Sequence, residues 1–341
     1  MEDLYTGFSN YDEINKENRA KAVEDEVSKW GDDADKFKEY RLKWNKAAND
    51  NYLPDFPLHL DIELSDACNL KCAYCAQGLG MVTDVGFINN DFAYGLIDQA
   101  VEMGICSLKF NWRGEAALNP ILPDLVKYAK DKGILEVQMN TNGLPKKKDI
   151  LIECAKNGMD RLIFSVDGFS KESYESVRIG GNYDTLVKNI HRLLDWKKEN
   201  DQAKPFVRLQ MVRSNVTAHE VDDFIAYWQD KVDDVRISDV MDRGQGGSFS
   251  VGDRKTIGRR RCPQPYQRLI VARDGRVSPC CADWDQKFVV GDATKDSLKD
   301  IWKNKRMTAM RTVQEKDQHD KIDICKNCYV KESFIWEKID D

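Results

Sequence analysis

What this chain lacks narrows its function first. It has no apolar run long enough to cross a bilayer, since a spanning helix needs about 20 consecutive apolar residues, and no membrane role is expected. Its formal charge of −6 reflects 58 acidic against 52 basic residues, which leaves no broad cationic face for a nucleic-acid backbone. The short basic run Arg259-Arg260-Arg261 reads as a solvated turn beside Cys262. Histidine is scarce, 4 in 341 residues, and none forms a recognisable acid–base pair. The opening Met1-Glu2-Asp3 lacks the basic, apolar and small-residue pattern of a secretion signal. A reducing, cytoplasmic location is therefore expected, where disulfides do not persist.

Cysteine is what the chain does have, with 10 residues that a reducing compartment keeps for chemistry or metal. Three stand in Cys68-Asn69-Leu70-Lys71-Cys72-Ala73-Tyr74-Cys75. A 4Fe-4S cluster is ordinarily held by four thiolates, one per iron, so three at this spacing leave one iron open to an exchangeable ligand. A structural zinc site needs four ligands, usually as two close pairs, and no His or Cys lies near enough in sequence to complete one. Cys106 opens a strand-like stretch and Cys154 lies in a helical apolar pattern, where free cysteine behaves as a small hydrophobe.

A chain of this length carries about two or three domains, and the composition divides it at 1–57, 58–245 and 246–341. The first segment is heavily charged, with Val23, Val27, Trp30, Phe37, Tyr40, Leu42 and Trp44 at roughly helical intervals. It predicts two amphipathic helices broken near Gly31, serving as a lid or partner surface or simply as a packing extension. Strand-like segments follow at 58–64, 106–112, 134–140, 162–166, 206–212 and 235–240. Helix-like ones lie between them at 91–103, 122–130, 148–156, 184–198 and 218–228. This alternation predicts an α/β fold with a parallel sheet. The polar motifs fall just after strands, at the carboxyl end where barrel enzymes place their chemistry, which favours a partial (β/α)6 TIM-type barrel over an open doubly wound sheet.

The cysteine triplet, with an aromatic residue just before its last member, resembles the radical S-adenosylmethionine (SAM) superfamily, in which the open iron chelates SAM. Arg113-Gly114-Glu115-Ala116 is similar to the family's Gly-Gly-Glu segment that receives the methionine amino group, with arginine in place of the first glycine. Asn140-Thr141-Asn142-Gly143 and Ser165-Val166-Asp167-Gly168 are similar to polar strand ends that contact the ribose or the methionine carboxylate. The resemblance thus implies Gly114, Glu115, Asn140, Asn142, Ser165 and Asp167 as cofactor-binding residues, Arg208 as a partner of the methionine carboxylate, and Tyr74 near the adenine. A carboxylate is the fitting partner for an ammonium group in a site closed to water.

Cys262, Cys280, Cys325 and Cys328 lie beyond the sixth strand, separated by 18, 45 and 3 positions. Between them run a hairpin signal at Asp274-Gly275-Arg276-Val277 and a short helix over 297–302. The arrangement resembles the Twitch domain, a small α+β relative of the SPASM domain, and implies one auxiliary 4Fe-4S cluster with every iron ligated, suited to electron transfer. The same four thiols equally suit a zinc knot. Cys281, next to a ligand, is left as a packing residue, a spare thiol or a hydrogen-atom donor.

The resemblance as a whole implies two 4Fe-4S clusters and SAM, whose reductive cleavage gives a 5′-deoxyadenosyl radical that removes hydrogen from an unactivated carbon. It also implies an electron donor such as flavodoxin or ferredoxin and a small-molecule substrate. The Twitch branch favours oxidation of a secondary alcohol of a sugar, polyol or aminocyclitol to a ketone. Asp239, Asp242, Arg243 and Asp283 are candidate polar contacts, and Asp239 and Arg243 join Cys281 as candidate catalytic residues. The alternatives are a radical epimerase with Cys281 as hydrogen donor, a peptide-modifying enzyme, and a non-enzymatic metal-binding scaffold. The N-terminal segment lacks the strand-turn-strand pattern of a peptide-recognition domain, and a scaffold leaves Glu115 and the polar strand ends unexplained.

Overall fold

The computed structural model describes residues 25–50, 52–240, 254–259, 261–326, 328 and 332–336. Helix α1 (Ala34–Asn49) leads into β1 (His59–Ile62), followed by α2 (Asn90–Glu102), β2 (Ser107–Lys109), α3 (Leu122–Asp131), β3 (Glu136–Thr141) and α4 (Ile150–Lys156). Next come β4 (Arg161–Ser165), α5 (Lys171–Val177), α6 (Tyr183–Glu199), β5 (Phe206–Arg213), α7 (Val221–Trp228) and β6 (Asp234–Asp239). The C-terminal part adds β7 (Arg254–Arg259), β8 (Arg268–Val271), β9 (Arg276–Ser278), β10 (Gly291–Asp292), α8 (Leu298–Lys303), α9 (Lys305–Glu315) and β11 (Glu332–Trp336).

Strands β1 to β6 pair in chain order and in parallel, the partial TIM-type barrel that the alternation predicts. Side chains on a strand point alternately to its two faces, and β3 uses both. Val137 and Met139 enter the apolar layer beneath the helices with Leu125, Val126 and Leu162, while Gln138 and Asn140 stay partly accessible on the opposite, inner face. Side-chain caps mark several helix starts: Asn89 accepts from Phe92 N, Asn182 from Thr185 N and Ser297 from Asp300 N. Helix α5 is an element the apolar pattern does not predict, because it is one polar stretch of seven residues started by the Ser170 cap.

The barrel's lower end is closed by polar side chains and then by the N-terminal segment. His59, Ser107, Glu136 and Arg161 are all buried, and Arg161 pairs with Glu136 and with Glu26. Beneath them Trp30 stacks on Phe37 at 4.2 Å and Trp44 meets His59 edge-on at 5.7 Å, in an apolar cluster that includes Tyr40, Leu58 and Tyr266. The described part of the N-terminal segment therefore packs under the barrel, as an amphipathic helix does with its apolar face.

Strand β8 pairs in parallel with β1, His59 opposite Arg268, and turns through Gly275 (φ +90°) into antiparallel β9. The resulting sheet has the order β10-β9-β8-β1-β2-β3-β4-β5-β6, so it runs unbroken across the domain boundary expected near residue 245. Strands β7 and β11 form a separate antiparallel pair. Among the described residues no helix is long and apolar enough to cross a membrane.

Candidate functional site

The loop after β1 carries the first cysteine group. It is pinned by Lys71 N donating to Ile179 O and Ala73 N to Val177 O, both at 2.9 Å. Glycines let it fold close: a Cβ on Gly78 would lie 2.0 Å from Cys72 O, and one on Gly114 only 2.3 Å from Ser65 O. Cys68, Cys72 and Cys75 lie near enough that each of the first two thiols is disfavoured as thiolate by its neighbours, although burial is the larger effect and pushes Cys68 up to about 11. Donors are already aimed at the sulfurs. Leu70 N reaches Cys68 Sγ at 3.4 Å, Asn142 Nδ2 reaches the same sulfur at 3.8 Å, and Arg178 Nη1 reaches Cys72 Sγ at 3.5 Å.

The strand ends expected to face SAM surround this loop. Glu115 is 3% exposed and accepts from Ala117 N, Thr141 Oγ1 and Asn142 N at 2.7–3.1 Å; burial holds its carboxyl above the usual range. Asn140 N donates to Asn111 Oδ1, while among the described residues its own buried Oδ1 has no hydrogen-bond partner. Ser165 ends β4, partly accessible on the inner face. Asp167 and Tyr74 instead bind each other: Asp167 accepts from Tyr74 Oη at 2.5 Å, Arg178 Nε at 2.7 Å and Val212 N at 2.9 Å. Their polar atoms thus brace the cysteine loop against the barrel. Arg208 pairs with Asp234 at 2.7 Å, and Asp239 pairs with Arg213 at 2.6 Å. Arg113, the arginine in place of a glycine, forms a two-pronged ion pair with buried Glu63 and donates to Trp284 O at 3.2 Å, fastening the barrel rim to the C-terminal part.

Five cysteines gather in that C-terminal part. The half-buried Cys262 thiol is pushed well up by desolvation and then by Cys328, Cys325 and Cys281, and Cys280 by its hydrogen bond to Cys281 and by desolvation. Gln314 bridges two of them, accepting from Cys262 N at 3.3 Å and donating to Cys325 Sγ at 3.5 Å. Cys281 is tied to the barrel by its carbonyl, which accepts from Trp112 Nε1 at 3.1 Å. Asp283 is not at a ligand surface: it is fully buried, and its carboxylate accepts from Ser278 Oγ, Lys287 N and Phe288 N. Arg243 and Asp242 lie outside the described residues. Cys154 is fully buried.

Both cysteine groups fit iron-sulfur ligation. The thiols of each group lie within electrostatic reach of one another, N–H donors point at sulfur, and among the described residues Asn140 Oδ1 on the first rim has no hydrogen-bond partner. Among the described residues no three His, Cys, Asp or Glu side chains are arranged to hold a single metal ion.

Comparison with known proteins agrees with this geometry. The model of the radical SAM superfamily matches residues 62–225, and that of SPASM, an iron-sulfur cluster-binding domain, matches residues 262–329. This is a radical SAM protein with an SPASM domain. As such it uses SAM and a 4Fe-4S cluster in the barrel, with further iron-sulfur binding in the SPASM part. Similar curated proteins include the GTP 3′,8-cyclase of Limosilactobacillus fermentum, 30% identical over 193 residues, or 54% of this chain and 55% of that one. A probable GTP 3′,8-cyclase of Methanococcus maripaludis is 26% identical over 134 residues, 39% of this chain and 44% of that one. The chain spans about half the length of the curated relatives it matches. Among solved structures, BtrN in complex with AdoMet and 2-DOIA has a TM-score of 0.56 at 18% identity, covering 80% of this chain and 93% of BtrN. SuiB of Streptococcus suis bound to precursor peptide SuiA has a TM-score of 0.63 at 15% identity, covering 82% and 71%. At these identities the likeness is one of fold.

Proposed function

We infer that this radical SAM enzyme is a dehydrogenase that oxidises a secondary alcohol of a sugar, polyol or aminocyclitol to a ketone. The observation that carries the reading is a polar inner face on the barrel, which bears the first cysteine group after β1 and meets the C-terminal part at Cys281, whose carbonyl accepts from Trp112 Nε1. That face offers Asn111, Gln138, Asn140, Ser165, Gln210 and Ser238, all partly accessible, the hydroxyl and amide groups that a polyhydroxylated molecule requires. When bound, SAM and the cluster supply a carbon radical that removes one hydrogen atom from the substrate. Cys68, Cys72 and Cys75 hold that end of the site, and Glu115 stands beside Cys68 to receive an ammonium group. Cys262, Cys280, Cys325 and Cys328 would hold an iron-sulfur group, whose chemistry there would be to accept an electron from the substrate.

A second reading, a radical epimerase, is favoured by the place of Cys281. Its thiol stands beside Cys280 and within electrostatic reach of Lys109 and Arg268 in the barrel interior, where a hydrogen donor would have to be. The similarity to GTP 3′,8-cyclases adds GTP to the substrates worth offering. The test is anaerobic turnover of the reconstituted protein in deuterated water with a panel of sugars, polyols, cyclitols and GTP. Ketone formed in step with 5′-deoxyadenosine, and retained by Cys281→Ala, supports the dehydrogenase. A product of unchanged oxidation state carrying one solvent deuterium, and lost in Cys281→Ala while deoxyadenosine still forms, replaces it with the epimerase.

A further inference from the structure

The barrel interior holds a cation that this reading does not use. Lys109 ends β2 on the same face as Ser107, whose hydroxyl lies 2.9 Å from His59 Nδ1 and donates to Glu136 Oε2 at 2.8 Å inside the barrel. Its ammonium is within electrostatic reach of Asp61 on β1, Arg268 on β8, Arg208 on β5 and Cys281, so the side chain crosses toward the barrel axis. Its side chain is partly accessible, and desolvation lowers its pKa below that of an ordinary lysine.

The neighbouring arginines each have a carboxylate. Arg268 lies 3.2 Å from Asp61, and Asp234 takes both Arg208 and Arg236, at 2.7 and 2.9 Å. Lys109 makes no hydrogen bond or ion pair among the described residues. Among the described residues, Asp61 and Asp234 are the carboxylates paired with these three arginines. A desolvated ammonium without a contacting carboxylate is costly until an anion joins it. We propose that Lys109 receives an anionic group of the substrate, a carboxylate or a phosphate, so that the alcohol oxidised belongs to an acidic sugar or polyol. An amine-bearing cyclitol would meet like charge there. The substrate class rests on the dehydrogenase reading, whereas the anion site itself does not.

The experiment uses the anaerobically reconstituted protein with SAM. Calorimetry compares glucose, glucuronate and glucose 6-phosphate. In parallel, acetic anhydride labelling read by mass spectrometry follows Lys109 with and without inorganic phosphate or acetate. At least one charged hexose should bind roughly ten- to hundredfold more tightly than glucose, the range of a charge-assisted contact, and the tighter of the two identifies the anion. Lys109→Met should lose that preference, Lys109→Arg should keep most of it, and Lys127→Met, at an exposed position paired with Asp131, should keep all of it. Phosphate or acetate should protect Lys109 from labelling in the unmutated protein, a measurement that needs no variant to fold. Protection without hexose binding upholds the anion site and removes the sugar reading. Hexose binding indifferent to charge, or labelling unaffected by either anion, overturns the proposal.

Discussion

Replacing Gly114 by alanine should drive the barrel rim and the cysteine loop apart. The added Cβ would stand 2.3 Å from Ser65 O and 2.6 Å from Ala67 O, where ordinary contact begins at 3.4 Å. Both oxygens belong to the backbone just before Cys68, so no side chain can rotate away and about 1 Å of main-chain movement is needed. Overpacking of this kind costs about 1–3 kcal/mol; with backbone on both sides the upper end applies. At about 2–4 °C per kcal/mol for a large domain, the melting temperature should fall by about 6–12 °C. The same movement breaks the 2.9 Å bond from Glu115 N to Ala67 O and shifts a carboxylate that braces Thr141 and Asn142. Iron loading at the first site and SAM affinity should fall with it. Thermal unfolding, iron analysis and equilibrium binding of SAM read the three effects. Gly95→Ala is the matched control: Gly95 lies inside α2 with nothing within 4 Å of its added Cβ, so it should stabilise by about 0.5–1 kcal/mol. A Gly114→Ala protein with unchanged melting temperature, full iron and normal SAM binding would refute the close-approach argument.

Two more perturbations follow from the same contacts. Burial depresses the pKa of His59 despite Asp61 Oδ1 lying 3.5 Å from its Nε2; its stabilising contribution is complete above the unfolded value near 6.5 and declines as pH falls toward the depressed folded value. The urea midpoint should therefore drop between about pH 6.5 and 5, with a shallower slope in His59→Gln, and equal slopes would count against a neutral floor histidine. Arg178→Met, paired with Asp167→Asn to leave no buried charge behind, removes the N–H directed at Cys72 Sγ, and hydrogen bonds to sulfur are among the groups that set cluster potential. An EPR-monitored redox titration should find a more negative midpoint for the first cluster; an unmoved midpoint in a protein of normal iron content would assign Arg178 to bracing alone.

Much of the barrel was legible from one chain because its strands are short apolar alternations separated by amphipathic helices, and both periods survive without neighbours. The cysteine loop was equally legible, since its ligands lie within eight consecutive residues. Partner choice was not. Asp167 sits at the strand end where a cofactor contact was expected, but its carboxylate is occupied by Tyr74 and Arg178, 93 and 11 positions away. Arg113 looked like a blemish in a glycine motif until its reach to Glu63 and Trp284 became visible. Lys109 carries no local signal at all, because an isolated lysine at a strand end acquires meaning only when β8 and β5 close around it. Asp283 failed as a ligand contact for the complementary reason: a carboxylate in a loop can serve the loop's own N–H groups, and sequence does not distinguish the two uses.

The pairing of β8 with β1 joins the molecule's two cysteine-bearing parts in one sheet. Excising residues 261–341 would strip β1 of one of its two hydrogen-bonded neighbours and expose, along the strand that delivers Cys68, an open edge of the kind that recruits other chains. The C-terminal part is therefore a wall of the barrel as well as a holder of cysteines. A shuffled version with a foreign SPASM segment would have to reproduce a strand register, His59 opposite Arg268, before it could reproduce a chemistry.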